Sequence, residues 1–233
     1  MNQSSPRDLW IRVAAQARAR ERSLDYAAIT RAAISLADRD GLDAVSMRKV
    51  ASLIDSGTMS LYRHVNGKDE LTELMYDSVI DELGPGVTPP GDWRAALADL
   101  ARRTRALHHR HPWLSRLGPR PIPGPNAVRM LEQAMAGVAG LGIGAEAMLD
   151  LVSTTLHFTH GFVQAELAGL PAGPPADTAA TGEDAWSDWM APYLANLFGD
   201  EPYARPAGSD EAFERRLAMV LDGLAAAVHA RRG

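Results

Sequence analysis

Residues 42–75, LDAVSMRKVASLIDSGTMSLYRHVNGKDELTELM, decide the fold of this chain. Ser46 is a favoured N-cap residue, and it precedes an amphipathic segment, residues 47–54, that predicts a short helix. The apolar positions of this helix recur at spacings of three and four residues: Val50, Leu53 and Ile54. The turn formers at 55–57 end it, and a second short helix is predicted over residues 58–64. Two short helices joined by a tight turn predict a helix-turn-helix motif.

The second of these helices has side chains that suit the major groove of DNA. The groove is about 12 Å wide, so it admits one helix when the leading side chains are short. Thr58 and Ser60 are short polar residues at the start of this helix. Three side chains further along can reach base edges or phosphates: Tyr62, Arg63 and His64. Leu61 and Val65 are expected to face the core of the motif instead.

Lys68 opens the next predicted helix, which runs to about residue 83. A cation in the first turn of a helix opposes the helix dipole and costs about 0.3 to 1 kcal/mol at an exposed site. A bound anion reverses that effect, because the free amide groups and the ammonium group both attract it. Asp69 and Glu70 would balance the dipole when no anion is bound. Lys68 therefore indicates either a phosphate site or an ordinary surface lysine.

The segments SMRKVA, MSLYRHV and GKDEL stand in the order and at the spacings of one known family. The stretch resembles the DNA-binding domain of the tetracycline-repressor (TetR) family. The resemblance implies that Arg48 contacts bases or backbone from the first short helix. The residues that would open the recognition helix are Thr58, Met59 and Ser60. The residues in positions that contact DNA, chiefly its phosphates, are Tyr62, His64 and Lys68. The chain departs from the family pattern at Asp55 and Ser56, where a glycine and an apolar residue are usual.

The composition favours a helical globular protein of the cytoplasm. The 233 residues are 46% hydrophobic and 23% charged, and they include no cysteine. No stretch stays apolar for the roughly 18 residues that a membrane span needs. Residues 1–68 hold 11 Lys and Arg against 7 Asp and Glu, whereas the rest of the chain holds 13 against 22. The N-terminal part is thus basic and the rest acidic, which places the attraction for phosphate at one end of the molecule.

Proline and glycine divide the chain into parts. Residues 1–24 are predicted to form a basic, partly helical N-terminal arm, and residues 25–83 a three-helix helix-turn-helix DNA-binding domain with its linking helix. The segment GPGVTPPGD at 84–92 cannot continue a helix, because proline lacks an amide hydrogen. Residues 92–233 are predicted to form a larger helical ligand-binding and dimerisation domain, so the fold class is all-α. Its helices are predicted near residues 93–109, 126–139, 145–168, 184–198 and 210–231.

The second domain resembles the C-terminal domain of the same family, in WRAALADLARRTRALHHRHPWL and FERRLAMVLDGLAAAV. That resemblance implies a ligand pocket among the middle helices and a homodimer formed through the last two helices. The final helix carries a broad apolar face: Phe213, Leu217, Val220, Leu221, Leu224 and Val228. This face is either half of a four-helix bundle between two subunits or core within one subunit.

The predicted helix at 145–168 combines apolar and polar side chains, as a ligand pocket requires. The pocket residues predicted on this helix are Thr155, His157, Phe158 and Gln164. Trp113 and Met130 are predicted to line the opposite walls. For each of these residues, packing in the core is the alternative.

Together these features predict a DNA-binding transcriptional regulator: a homodimeric repressor that leaves a palindromic operator when a small-molecule effector binds. In two alternatives the protein still binds DNA. In one it has no small-molecule inducer, and in the other it activates transcription. A metalloenzyme is a remote alternative, because five imidazoles could converge: His108, His109, His111, His157 and His160. No carboxylate accompanies them at a metal-ligand spacing, and no nucleophile elbow, P-loop or dinucleotide fingerprint is present. The chain is therefore predicted not to be an enzyme, with no catalytic residue, metal or cofactor.

Overall fold

The structure, a computed structural model, describes residues 6–18, 26–86, 91–117, 123–168 and 210–232. These residues form α-helices and short 3-10 turns and contain no strand, so the predicted all-α fold class is confirmed. The α-helices are α1 (Pro6–Arg18), α2 (Tyr26–Asp40), α3 (Met47–Leu53), α4 (Thr58–Leu61), α5 (Lys68–Ile80), α6 (Trp93–Arg110), α7 (Pro125–Val138), α8 (Ala145–Leu167) and α9 (Asp210–Arg232). The 3-10 turns cover residues 42–44, 81–83, 112–116 and 139–141. The helix predicted at 184–198 lies outside the described residues.

Helices α1 to α5 share one hydrophobic core. Each helix contributes a fully buried side chain to it: Leu9, Ile29, Val50, Leu61 and Leu71. Leu61 and Val65 face this core, as predicted. Leu53, which fits the apolar spacing of α3 in the sequence, has a side chain that is 50% exposed. The reason is that α3 turns Met47, Val50 and Ala51 inward, which leaves Leu53 on the outer side of the helix.

Helix α1 places part of the predicted N-terminal arm on this core. Leu9 is fully buried, and Arg12 donates a hydrogen bond to Glu70 of α5 at 2.6 Å. Trp10 lies beside the start of α7, where a Cβ built on Gly124 would overlap its ring. Helix α1 therefore touches both the helix-turn-helix motif and the C-terminal half of the chain.

Helices α6 to α9 surround a second hydrophobic core. Helix α8 packs against α6, α7 and α9. Phe213 of α9 packs against Phe158 and Phe162 of α8, with ring centroids 5.8 and 5.1 Å away. Arg105 of α6 donates to both carboxylate oxygens of Glu166 on α8, at 2.6 and 3.0 Å. None of the described helices is long and apolar enough to cross a bilayer.

The turn between α3 and α4 contains a residue in the left-handed region. Asp55 has a φ of 50° and is the only non-glycine residue with positive φ in the described part of the chain. The amide of Ser56 donates to the carbonyl of Ala51 at 2.9 Å, and that of Asp55 to Ser52 at 3.3 Å. These two bonds are the pattern of a Schellman C-cap, in which glycine is usual at the position of Asp55. The chain thus keeps the turn with a strained residue.

Replacing Asp55 with glycine should raise the free energy of unfolding by about 0.5 to 1 kcal/mol, because the left-handed conformation costs a residue with a Cβ about that much or more. Urea denaturation followed by circular dichroism measures the change. Asp55→Ala is the matched control, since it removes the same charge but keeps the Cβ, and it should not stabilise the protein. Equal stabilisation by both variants would assign the effect to charge and contradict the account.

Candidate functional site

Residues 58–64, predicted as one helix, form one α-helical turn and then a tighter turn. Helix α4 ends with the amide of Tyr62 bonded to the carbonyl of Thr58 at 3.1 Å. The next two amides reach carbonyls only three residues back, which is the spacing of a 3-10 helix. We call residues 58–64 the recognition segment.

The recognition segment directs several side chains into solvent because Leu61 and Val65 anchor its other side in the core. Its exposed side chains are Met59, Tyr62 and Arg63. Its half-buried side chains are Thr58, Ser60 and His64. His64 packs edge-on against the ring of Tyr26 on α2, with centroids 5.9 Å apart. Short polar, aromatic and cationic groups therefore occur together on this segment, as a nucleic-acid interface requires.

Helix α3 precedes the recognition segment and adds positive charge. Ser46 caps α3 as predicted, because its Oγ accepts a hydrogen bond from the amide of Lys49 at 3.3 Å. The cap places Arg48 and Lys49 in the first turn, where both side chains are exposed. Arg63 and Lys68 are exposed as well, so α3, the recognition segment and the start of α5 each contribute cations to the motif.

Lys68 lies at the start of α5, and its ammonium group is tethered. Its Nζ donates to the carbonyl of Leu42 at 3.0 Å. In the same helical turn, the carboxylate of Glu70 accepts from the amide of Asn66 at 3.0 Å and from Arg12 at 2.6 Å. Burial raises the pKa of Glu70, but these hydrogen bonds outweigh it and hold the pKa below its usual value. Glu70 therefore remains a carboxylate and fixes the chain that enters α5.

A partly open cavity of about 200 Å³ lies between α5, α6, α7 and α8. Leucine, isoleucine and methionine side chains form most of its walls. Five other side chains bring polar atoms to it: Tyr76, Thr104, His108, His157 and His160. Apolar walls with a few polar groups are typical of a small-molecule site.

The cavity brings together two of the six predicted pocket residues, Met130 and His157. Trp113 and Gln164 line a separate cleft of about 770 Å³ between the end of α2 and α8. There the Trp113 indole donates to Asp38 at 2.7 Å, and the Gln164 amide donates to the Ser115 carbonyl at the same distance.

Thr155 and Phe158 lie on other faces of α8. Thr155 is fully buried, and its hydroxyl donates to the carbonyl of Leu151 at 2.9 Å. Phe158 stacks on Phe213 in the second core. Neither residue lines the cavity between α5 and α8.

Sequence reasoning did not place Thr104 or His108 in the pocket; the two residues lie one turn apart on α6 and are each 8% exposed. Thr104 Oγ1 and His108 Nδ1 have no hydrogen-bond partner within the described ranges. Burial, and then the nearby His160 and His109, lower the pKa of His108 to about 4, so its imidazole is neutral at pH 7. The available signal was a threonine and a histidine four residues apart on a helix, a spacing that places both on one face.

The histidines do not converge on a metal site. Helix α6 ends at Arg110, so His111 lies beyond the helix that carries His108. His111 Nδ1 is 2.7 Å from an Asp38 oxygen, and its Nε2 is 3.2 Å from both oxygens of Glu82. Within the described ranges, no group of three or more His, Asp or Glu side chains could hold a metal ion.

Helix α5 connects the recognition segment with the cavity and with α7. It begins at Lys68, and its later turns form part of the cavity wall. Asp77 on this helix accepts hydrogen bonds from the amides of Asn126 and Ala127, each at 3.0 Å. Asp77 therefore caps the N-terminus of α7 from another helix. Burial raises the pKa of Asp77, and the two amide bonds offset part of that rise.

Comparison with known protein sequences agrees with this architecture. The family model of the tetracyclin repressor-like C-terminal domain matches residues 85–228. The HTH-type transcriptional repressor DrrR1 of Streptomyces coeruleorubidus is 34% identical over 215 residues, which cover 88% of this chain and 78% of that repressor. The class A tetracycline repressor from Escherichia coli transposon 1721 is 29% identical over 201 residues, which cover 84% of this chain and 88% of that protein.

Solved structures agree as well. Apo ActR from Streptomyces coelicolor aligns with a TM-score of 0.73 at 27% identity, over 90% of this chain and 99% of ActR. The complex of ActR with actinorhodin aligns with a TM-score of 0.71 at 27% identity, over 89% of this chain and 99% of that chain. The family predicted from the segments around the recognition helix is therefore confirmed: this chain belongs to the tetracycline-repressor family of helix-turn-helix transcriptional regulators.

Proposed function

We propose that this protein is a homodimeric repressor that binds a palindromic operator and leaves it when a small molecule fills the cavity between α5 and α8. One observation carries the proposal: α5 both begins directly after the recognition segment and forms part of the cavity wall. The relatives support it, since DrrR1 is named a transcriptional repressor and ActR has been solved with actinorhodin and with (S)-DNPA. The protein acts in the cytoplasm, where it meets its operator, and catalyses no reaction.

In this proposal the recognition segment enters the major groove. The residues at its leading edge are Thr58, Met59 and Ser60. The side chains that read bases or backbone are Arg48 and Arg63, and those that hold phosphates are Tyr62, His64 and Lys68. Two copies would dock on one face of the duplex, with half-site centres about 34 Å apart or more for a wide dimer.

The proposed dimer forms through the last two helices of each subunit. Four of the six apolar residues predicted to form the dimer face of α9 are buried in the second core of one subunit: Phe213, Leu217, Leu221 and Val228. Met219, which is 69% exposed, is the large apolar side chain that α9 offers to a partner. The other predicted dimer helix, residues 184–198, lies outside the described residues. Four such helices would form a bundle between two subunits.

Ligand binding would act on DNA affinity through α5. A molecule in the cavity pushes on the later turns of α5 and on α7, which Asp77 holds to α5. Movement of α5 changes the distance between the two recognition segments. To change the ratio of the non-binding form to the DNA-binding form from 1:99 to 99:1, the ligand must prefer the non-binding form by about 5.5 kcal/mol.

Linkage gives a direct test, because operator DNA must weaken ligand binding by the same factor as ligand weakens operator binding. Isothermal titration with the two ligands found in ActR, in the presence and absence of operator DNA, measures that factor. We expect weaker binding to the protein–operator complex. Equal ligand affinities for the free and the DNA-bound protein would reject the coupling.

Substitutions should separate the DNA contacts. Lys68→Ala should weaken binding to all duplexes alike and lower the slope of log affinity against log salt by about one unit, because one phosphate contact is lost. Arg48→Ala should change the base preference. Fluorescence anisotropy on operator and scrambled duplexes at several salt concentrations distinguishes these effects. An unchanged base preference after Arg48→Ala would show that Arg48 does not contact bases.

A further inference from the structure

The hydroxyl of Thr104 is an exception among the buried threonines of the described helices. The others donate their hydroxyl to the carbonyl four residues back, at 2.6 to 2.9 Å: Thr30, Thr72, Thr155 and Thr159. Thr104 could make the same bond on α6, yet its Oγ1 has no partner in the described part of the molecule. A buried hydroxyl without a partner costs about 1 to 3 kcal/mol. Its position on the cavity wall indicates that a ligand supplies the partner.

His108, one turn further along α6, also has a buried polar atom without a hydrogen-bond partner among the described residues. Its Nδ1 is buried and has no partner within the described ranges, and the residue lines the same cavity. Its ring packs edge-on against His160 of α8, with centroids 5.3 Å apart. Side chains four residues apart on a helix have Cβ atoms roughly 5 to 6 Å apart. That separation is close to the distance between two oxygen substituents on non-adjacent carbons of one aromatic ring.

The cavity also excludes charge. None of the side chains known to line it belongs to Asp, Glu, Lys or Arg, so an ionic ligand would be buried without a counter-charge. The lowered pKa of His108 leaves its imidazole neutral at pH 7. His108 therefore has no charge that could pair with a charged ligand.

We infer that the cavity binds an uncharged aromatic molecule with two oxygen functions, hydroxyl or carbonyl, on non-adjacent ring carbons, which bond to Thr104 Oγ1 and His108 Nδ1. The inference rests on the proposed function, because it names the effector class of that same cavity. At about 200 Å³ the cavity suits roughly two fused rings, since pockets for drug-sized ligands begin near 300 Å³. A longer molecule would extend past Met130, which also lines a groove of about 470 Å³ between α6 and α7.

A series of two-ring probes tests the inference on the full-length protein without DNA. The probes are naphthalene, 1-naphthol, 1,3-dihydroxynaphthalene and 1-naphthoate, and isothermal titration or ligand-detected NMR gives their affinities. We expect affinity to rise with each hydroxyl, by about three- to tenfold per hydrogen bond, and the carboxylate to bind no better than naphthalene. Naphthalene binding as tightly as the diol, naphthoate binding most tightly, or no probe binding at millimolar concentration would overturn it.

Thr104→Val is the decisive variant because it keeps the shape of the side chain and removes only the hydroxyl. It should lower the affinity for the diol about three- to tenfold and change the affinity for naphthalene by no more than about twofold. Without ligand it should unfold at no lower urea concentration than the wild type, because it removes an unsatisfied polar group. Thr159→Val, whose lost hydroxyl is hydrogen-bonded, is the matched control and should leave probe affinity unchanged. Equal weakening of all probes by Thr104→Val would overturn the inference.

Operator release is measured separately by gel shift with the same probes. If the probes bind as expected but none releases the operator, the inference about the cavity holds and the proposed repressor mechanism fails. If a compound releases the operator with an affinity that Thr104→Val does not change, the repressor mechanism holds and the inference fails.

Discussion

Replacing Asp77 with alanine should lower the free energy of unfolding by about 2 to 4 kcal/mol, because buried amides at the start of α7 lose their acceptor. Asp77 is 4% exposed, so water cannot readily replace the carboxylate. The amides of Asn126 and Ala127, each 3.0 Å from it, would remain without a partner. Urea denaturation of the wild type and the variant measures the loss. The same variant should weaken the effect of ligand on operator affinity, since it separates α7 from α5.

The neighbouring Asp81 provides a matched control on the same stretch of chain. Its carboxylate pairs with Arg129 at 2.9 Å, but both side chains are more than half exposed. An exposed ion pair contributes about 0 to 1 kcal/mol, so Asp81→Asn should have a small effect. Asp77→Asn should fall between the two, because an amide oxygen can still accept one hydrogen bond. If Asp77→Ala cost no more than Asp81→Asn, the cap on α7 would not be a significant contact.

Acidification from pH 7 to pH 4 should remove up to about 3 kcal/mol of stability through His108 alone, by the linkage between pKa and folding. The pKa of His108 is lowered from about 6.5 in the unfolded chain to about 4 in the folded protein, chiefly by burial. Above pH 6.5 the imidazole is neutral in both states. Between pH 6.5 and 4 the unfolded chain takes up the proton and the folded protein does not, so the folded state loses stability as the pH falls.

The difference between wild type and His108→Leu isolates this effect from the other titrating groups. Urea midpoints at pH 7, 6, 5 and 4 should fall more steeply for the wild type, and most of the divergence should develop below pH 6.5. His229→Gln replaces an exposed histidine of α9 and should follow the wild-type curve. Parallel curves for wild type and His108→Leu would show that His108 is not buried as the structure places it.

The helix-turn-helix could be predicted from the sequence because its signals are local. Ser46 caps α3, the residues at 55–57 end it, and Leu61 and Val65 mark the buried side of the next turn. Each signal acts within a few residues, so it does not depend on the rest of the fold. The apolar spacing did not show that Leu53 would be exposed, since on a helix as short as α3 two faces carry apolar residues and only packing decides between them.

The contacts of α1 and Asp77 could not be predicted, because their partners are distant in sequence. The carboxylate of Asp77 caps a helix that begins 48 residues later in the chain. Nothing near Asp77 in the sequence distinguishes it from a surface acid. Leu9 on α1 is likewise buried only because residues distant in sequence form the first hydrophobic core around it.

Of the six pocket residues predicted from the sequence, two line this cavity: Met130 and His157. Helix α8 mixes apolar and polar residues along its length, and it packs against α6, α7 and α9. The pattern therefore does not mark which face meets the cavity. The structure places His157 and His160 there, while Thr155 and Phe158 point elsewhere. The roles of the predicted DNA-contact and pocket residues remain predictions for the variants above.

Selection of duplexes from a random pool by the purified full-length protein tests the central claim most directly. That claim is that the recognition segments of two subunits together bind a specific DNA sequence. The account predicts enrichment of an inverted repeat, with weaker enrichment by Lys68→Ala and an altered sequence by Arg48→Ala. No enriched sequence from a folded protein, even at low ionic strength, would contradict it.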